Sequence, residues 1–317
     1  MIVVLGATGY MGRAYVRHLQ ERGLDHVTPS RRELDVSSYA ALVDFLRAVK
    51  PAFLVNAAGF TGKPNVDACE TARAETLLGN AVLPVTISHA CQAAGVRWGH
   101  ISSGCIYNGA RVRVGGRECI EPDLMTPDMQ ALLNKDRGAF HGFTESDEPN
   151  FSFRHPPCSF YSGTKALAEE ALAADPLVYI WRLRIPFDEE DDARNYLAKL
   201  QTYPKVYDNV NSISHRADFV KASLALWEKE APPGLYNVTN PGFITAREVV
   251  ALIERILKPD RPFEFWSDDR EFYAKGVKAP RSNCILDASK LQSAGIELAP
   301  AADAVEHALR HWKRRAA

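Results

Sequence analysis

Four apolar residues, Ile2 to Leu5, run directly into Gly6-Ala7-Thr8-Gly9-Tyr10-Met11-Gly12, and helical spacing of apolar side chains follows from Tyr10 to Glu21. A strand, a glycine turn and a helix in that order place glycines where the backbone must turn tightly and approach a pyrophosphate at a helix N-terminus. A glycine triplet without that context serves only strand-to-helix packing. Here the context is present, and it nominates Gly6, Thr8, Gly9, Tyr10, Met11 and Gly12 as dinucleotide-binding residues.

The same alternation continues. Apolar runs at Ala52 to Val55, Arg97 to Ser102 and Leu177 to Leu183 are separated by helix-period stretches from about Asp67 to Ala94 and Tyr161 to Ala173. Strands alternating with helices predict right-handed βαβ units, hence an α/β fold with a Rossmann-type doubly wound parallel sheet whose active site lies at the carboxyl ends of its strands. With 317 residues, the chain has room for that domain and a smaller C-terminal one for substrate. The expected division is residues 1–184 plus about 204–235 for the cofactor, and about 185–203 plus 236–317 for the substrate. Glycines and prolines interrupt the rhythm from Tyr107 to Asn150, which predicts an active-site cover or a disordered excursion. The acidic run Asp188 to Asp192 reads as a solvated loop.

Charge and cysteine usage exclude other classes. Thirty-eight basic residues against 39 acidic ones leave no excess of positive charge for a nucleic-acid partner. Six cysteines without a CxxC spacing argue against a zinc ribbon, a structural metal or a secreted disulfide framework, and so imply a reducing cytoplasm. Ile2 to Leu5 is too short for a signal-peptide core, and no run approaches the ~18 apolar residues of a membrane span. A cytoplasmic protein is expected; a homodimer is one state the sequence allows.

About 20 residues past the first glycines, a site preferring NAD usually carries an acid for the ribose 2′-hydroxyl. This chain has Ser30-Arg31-Arg32, whose guanidinium groups suit a 2′-phosphate, so NADPH is favoured, with NADH as the alternative. Ser30, Arg31 and Asp35, Asn56-Ala57-Ala58 after the run Ala52 to Val55, and Tyr161 and Lys165 further on complete the expected cofactor contacts.

Tyr161 and Lys165 stand four apart in a helix, hence on one face. An ammonium beside a phenol, together with the nicotinamide charge, is expected to lower the tyrosine pKa and make it a proton donor and acceptor near neutrality. Ser103 and Cys105, two apart at a strand end, point to one side. Ser103 can hold a carbonyl oxygen, while Cys105 is either a reactive thiol or a packed residue.

These residues stand within longer stretches: Asn56-Ala57-Ala58-Gly59-Phe60-Thr61-Gly62-Lys63-Pro64-Asn65-Val66-Asp67, Ser103-Gly104-Cys105-Ile106-Tyr107, Phe160-Tyr161-Ser162-Gly163-Thr164-Lys165, Arg194-Asn195-Tyr196-Leu197-Ala198-Lys199 and Ala279-Pro280-Arg281-Ser282-Asn283. In that collinear set the chain resembles the sugar-nucleotide branch of the extended short-chain dehydrogenases/reductases, namely the dTDP-4-dehydrorhamnose reductases and, more closely, the bifunctional nucleotide-rhamnose 3,5-epimerase/4-reductases. The resemblance implies reduction of the C4 ketone of a nucleoside-diphosphate 4-keto-6-deoxyhexose, with Ser103, Tyr161 and Lys165 as the catalytic serine, tyrosine and lysine. It implies 3,5-epimerisation by Cys105 and Lys199, the alternative for Lys199 being a surface helix residue. It also implies substrate contacts from Thr61, Lys63, Asn65, Ser103, Asn195 and Arg281. The stretch 109–142 lengthens the interval before Tyr161 beyond the family's usual spacing. An NDP-sugar dehydratase of the same fold would carry Asp-Glu after the catalytic serine, where this chain has Gly104-Cys105; a non-catalytic regulatory subunit would not need Ser103, Tyr161 and Lys165 together.

Overall fold

The computed structural model describes residues 1–314. Strand β1 (Ile2–Leu5) leads into helix α1 (Tyr10–Glu21), followed by β2 (His26–Val27), α2 (Tyr39–Val49) and β3 (Phe53–Asn56). The alternation continues through α3 (Leu83–Ala94), β4 (Trp98–Ser103), α4 (Phe160–Leu172), β5 (Val178–Leu183), α5 (Arg216–Glu228) and β6 (Gly234–Asn237). Among the described residues these strands form a six-stranded sheet, every pair parallel, in the order β6-β5-β4-β3-β1-β2. The fold is the doubly wound α/β architecture expected. The chain winds one way from β1 to β2 and the other way from β3 onward, so a crevice opens between the carboxyl ends of β1 and β3.

Strand periodicity explains why β1 is apolar throughout. Successive side chains point to opposite faces, and both faces are covered by helices. Ile2 and Val4 join Tyr15, Leu19 and Trp181 in one core, whereas Val3 and Leu5 join Leu42, Leu46 and Ile87 in the other. A third core gathers Phe187 and Ile244 from the short strands Pro186–Phe187 and Ile244–Thr245 with Leu197, Val249 and Val305 from helices Tyr196–Thr202, Ala246–Leu257 and Ala301–Arg310. No helix among the described residues is long and apolar enough to cross a membrane.

Three expectations need correction. The stretch expected as one helix from about Asp67 to Ala94 is segmented: a 3₁₀ turn Val66–Glu70, a short helix Arg73–Leu77, a π turn Leu78–Val82 and then α3. The π turn holds one residue more than an α turn, and Asn80 within it is buried.

The segment after Tyr107 is folded rather than a bare excursion. Strand Ala110–Val114 pairs with Arg117–Glu121 on one side and Phe140–His141 on the other, and helix Pro127–Lys135 packs beside them. Gly115 and Gly116, both at positive φ, form the two-residue turn that such a hairpin favours. Val112, Leu133 and Phe140 bury themselves against Val210 and Ile285 of the C-terminal half.

Nor is the acidic run a solvated loop. Asp188 pairs with Arg216 at 2.6 Å, both nearly sealed from solvent, and Glu190 reaches Arg17 and Arg216 at 2.6 and 3.0 Å. Glu189 meets His215 at 3.0 Å and Asp192 meets Arg13 at 2.6 Å. Four carboxylates therefore fasten α1 and the start of α5 to the segment that follows β5.

Candidate active site

The crevice is built from backbone. Gly6 has φ +75°, and a Cβ there would lie 2.6 Å from the Ala58 nitrogen, so only glycine lets the two loops meet. A Cβ on Gly12 would strike the Gly6 carbonyl. Gly9 is the N-cap of α1, and no side chain among the described residues caps that helix. Its leading N–H groups are thus open to an anion, and the cradle fits a dinucleotide pyrophosphate. Asn56 is buried at the end of β3. Its Oδ1 accepts from the Ala58 N–H at 3.0 Å and its amide nitrogen meets His100 Nδ1 at 3.1 Å, which pins Ala57 and Ala58 against the glycine loop.

Tyr10 and Met11 are the first two residues of α1. Met11 is packed in the core, and the Tyr10 ring lies under the Arg216 guanidinium at 4.4 Å, its phenol raised by burial and by Asp188. Thr8 is exposed, and its carbonyl accepts from Arg13 Nη1. Beyond β2, Ser30 and Arg31 are exposed at the mouth, and neither Arg31 nor Arg32 has an ion-pair partner among the described residues. The Ser30 N–H donates to Glu33. Asp35 is exposed, its Oδ1 accepting from both the N–H and the hydroxyl of Ser37.

Helix α4 presents the reactive face. Ser159 caps it by accepting from the Ser162 N–H at 3.1 Å, and its register aligns Tyr161, Lys165 and Glu169. Lys165 Nζ donates to the Ile101 carbonyl at 2.9 Å and lies beside Gly59, at the mouth of the crevice. Burial pushes its ammonium down to about 8, against the opposing pull of Glu169 and Cys105. Tyr161 differs from the sequence expectation: burial raises its phenol, Cys105 adds to the rise, and the Ser103 hydroxyl hydrogen-bonded to it works in the other direction. The phenol is therefore held protonated, as a donor.

Four residues that sequence reasoning passed over complete this region. Asn80 brackets Phe60, accepting from its N–H and donating to its carbonyl, both at 2.8 Å. Glu169 accepts from the Ser102 hydroxyl at 2.5 Å and from Arg182 Nη2 at 2.8 Å. Arg184, almost wholly buried, donates through Nη1 to Cys105 Sγ at 2.9 Å. Two signals were available: Glu169 continues the four-residue row, and Arg182 inside an otherwise apolar strand and Arg184 just past its end demand buried partners.

A second group lies around helix Tyr196–Thr202. Arg194 donates to Thr61 Oγ1 and to the Gly62 carbonyl, both at 2.9 Å, and Arg281 pairs with Asp67 at 2.8 Å. Burial first, then Arg194 and Arg281, push the Lys199 ammonium down, and Asp192 opposes them. Lys199 is half-buried on its helix. Lys63 is exposed nearby, and Asn65 uses Oδ1 to accept from the Asp67 N–H. Asn195 does not belong with these: it is fully buried, caps the helix, and spends its amide on Asp188, Glu190 and Leu197. The substrate contact expected of Asn195 is thus a structural one.

Residues 1–313 match the family model described as the RmlD substrate binding domain. Among curated proteins, the chain is 32% identical over 297 residues to a bifunctional dTDP-4-dehydrorhamnose 3,5-epimerase/dTDP-4-dehydrorhamnose reductase of Arabidopsis thaliana, covering 93% of this chain and 88% of that protein. It is 30% identical over 290 residues to a trifunctional UDP-glucose 4,6-dehydratase/UDP-4-keto-6-deoxy-D-glucose 3,5-epimerase/UDP-4-keto-L-rhamnose-reductase of the same plant, covering 91% of this chain but only 39% of that protein. Among solved structures, a UDP-rhamnose synthase from Acanthamoeba polyphaga mimivirus superposes with a TM-score of 0.81 at 23% identity, covering 98% of both chains. A dTDP-4-dehydrorhamnose reductase from Bacillus anthracis in complex with NADP gives 0.75 at 18% identity, covering 98% and 97%.

Proposed function

The chain belongs to the RmlD substrate-binding-domain family, and from that premise we propose that it uses NADPH to reduce the C4 ketone of a nucleoside-diphosphate 4-keto-6-deoxyhexose, after epimerising the sugar at C3 and C5. The observation that carries the reading is the convergence of Ser103, Tyr161 and Lys165 beside a glycine cradle that admits a pyrophosphate. The two Arabidopsis relatives support the substrate class.

The cofactor, when bound, supplies hydride to sugar C4. Tyr161 gives its proton to the oxygen that becomes a hydroxyl, and Ser103 holds that oxygen in line. Lys165, still largely charged at neutral pH, favours the developing phenolate. Exposed Arg31 and Arg32 take the 2′-phosphate. Segments about 185–203 and 236–317 hold the sugar nucleotide, with Thr61, Lys63, Asn65, Lys199 and Arg281 along its path. For epimerisation, the C4 ketone acidifies the neighbouring C–H bonds. Cys105 and Lys199 exchange those protons while Tyr161 and Ser103 steady the enolate oxygen.

The test is a panel of UDP-, dTDP-, GDP- and CDP-4-keto-6-deoxyglucose, followed by NADPH absorbance and product stereochemistry. One substrate consumed with NADPH oxidation supports the reading; no oxidation with any of them defeats it. Tyr161→Phe is expected to lower turnover by ~10²-fold or more and leave NADPH affinity nearly unchanged. Near-normal turnover in that variant removes Tyr161 from the reaction.

A further inference from the structure

Arg184 stands just past the end of β5 and is sealed from solvent, yet it pairs with no carboxylate among the described residues. Nη1 donates to Cys105 Sγ at 2.9 Å, and Nη2 donates to the Ser282 carbonyl at 2.6 Å and to Asn211 Oδ1. Nε has no partner among the described residues. A buried cation is costly unless something offsets it. Neutral acceptors from two distant segments hold this guanidinium; Cys284, Cys105 and Tyr196 lie within its electrostatic range, and of these the one it hydrogen-bonds is the Cys105 sulfur. Cys105 is itself half-buried, on the turn directly after Ser103, within electrostatic range of Tyr161 and Lys165.

We propose that Arg184 is a positioning residue for Cys105: it fixes the direction of the sulfur and favours its anionic form, so that the thiolate serves as the base that removes a proton from a carbon beside the C4 ketone. This rests on the epimerase half of the function proposed above. In the step, the sulfur takes the proton, the C–H electron pair moves into the C4 carbonyl to give an enolate, and Tyr161 and Ser103 hydrogen-bond the oxygen. The Lys199 ammonium gives a proton to the opposite face of the carbon, which completes inversion without net oxidation or reduction and leaves a thiol and an amine that exchange their protons with water. The guanidinium attracts a thiolate through full opposite charges but a thiol only through a weak sulfur acceptor, and this difference biases the sulfur. Hydride transfer does not pass through the sulfur, so the hydrogen bond from Arg184 to Cys105 bears on the epimerase half of the chemistry, whereas the guanidinium charge also reaches Tyr161.

Two readouts separate this inference from the function it rests on. The first needs no substrate: iodoacetamide labelling of the full chain, with the Cys105 and Cys119 peptides followed separately by mass spectrometry between pH 8 and 6.5. Cys119 is exposed and serves as the internal reference. An unassisted thiol slows roughly 20-fold over that range; Cys105 is expected to slow less than 3-fold in the wild type and as steeply as Cys119 in Arg184→Met, with Arg184→Lys between them. Parallel slopes for the two cysteines in the wild type overturn the inference even if Arg184→Met fails to fold. The second readout is deuterium incorporation at C3 and C5 of the 4-keto-6-deoxyglucose nucleotide in heavy water with NADP⁺. Arg184→Met is expected to lose at least 10-fold more in exchange than in reduction of the already epimerised sugar. Equal losses in exchange and reduction reduce Arg184 to a structural role and overturn the inference. A wild type that neither exchanges nor reduces defeats the function itself, and the labelling slopes then still decide whether Arg184 acts on the sulfur.

Discussion

At the scale of single residues, burial sets the chemistry more than sequence neighbours do. Lys165 stands four residues from Tyr161, but its ammonium is lowered by loss of water and kept from falling further by Glu169 one turn on. If the reduction requires the charged lysine, kcat falls as pH rises through about 8, since the group that must carry a proton loses it there. Glu169→Gln removes an anion that favours the charged form, so the descending limb of a kcat–pH profile is expected to move to lower pH. An unmoved limb separates Glu169 from Lys165. At the cofactor mouth, Arg31→Ala is expected to raise KM for NADPH about 10-fold and leave that for NADH nearly unchanged, because only the former carries the 2′-phosphate. Equal changes in steady-state titrations would show that Arg31 does not read that group.

At the scale of elements, regular local patterns were readable and compensated irregularities were not. Strand β1, helix α1 and helix α4 follow from period and caps. The segmented stretch from Val66 to Ala94 does not, because the π turn at Leu78–Val82 goes with the burial of Asn80 against Phe60 and Thr164, partners distant in sequence. The Gly115-Gly116 pair was legible as a hairpin turn between Val112-Arg113-Val114 and Arg117 onward, although its glycines read first as loop. A side chain at either glycine has open space around it, so the cost of substitution is purely conformational. Changing both to alanine is expected to cost about 1–2 kcal/mol per residue in that hairpin. The measurement is native-state hydrogen exchange, with faster exchange confined to Ala110–Glu121; unchanged protection there would contradict the assigned turn.

For the whole molecule, the ion pairs around Asp188 to Asp192 join α1, α5 and the segment following β5. Arg216→Met leaves Asp188 buried without its partner, which is expected to destabilise the fold by about 3–5 kcal/mol in denaturant titration. Asp188→Leu combined with Arg216→Met is expected to recover much of that loss, because the double variant strands no charge. A single variant as stable as wild type would show that the pair is dispensable. The sequence by itself determined the doubly wound sheet, the glycine cradle and the Tyr161–Lys165 row, because each depends on spacing within one or two adjacent elements. Only the tertiary structure decided that the acidic run is a buried junction, that Asn195 is a cap, that Tyr161 is held protonated, and that Arg184 meets Cys105 across 79 residues of chain. Those outcomes depend on which distant group fills each buried partner's remaining valence and on how much water the packing removes, and neither quantity is local to the chain.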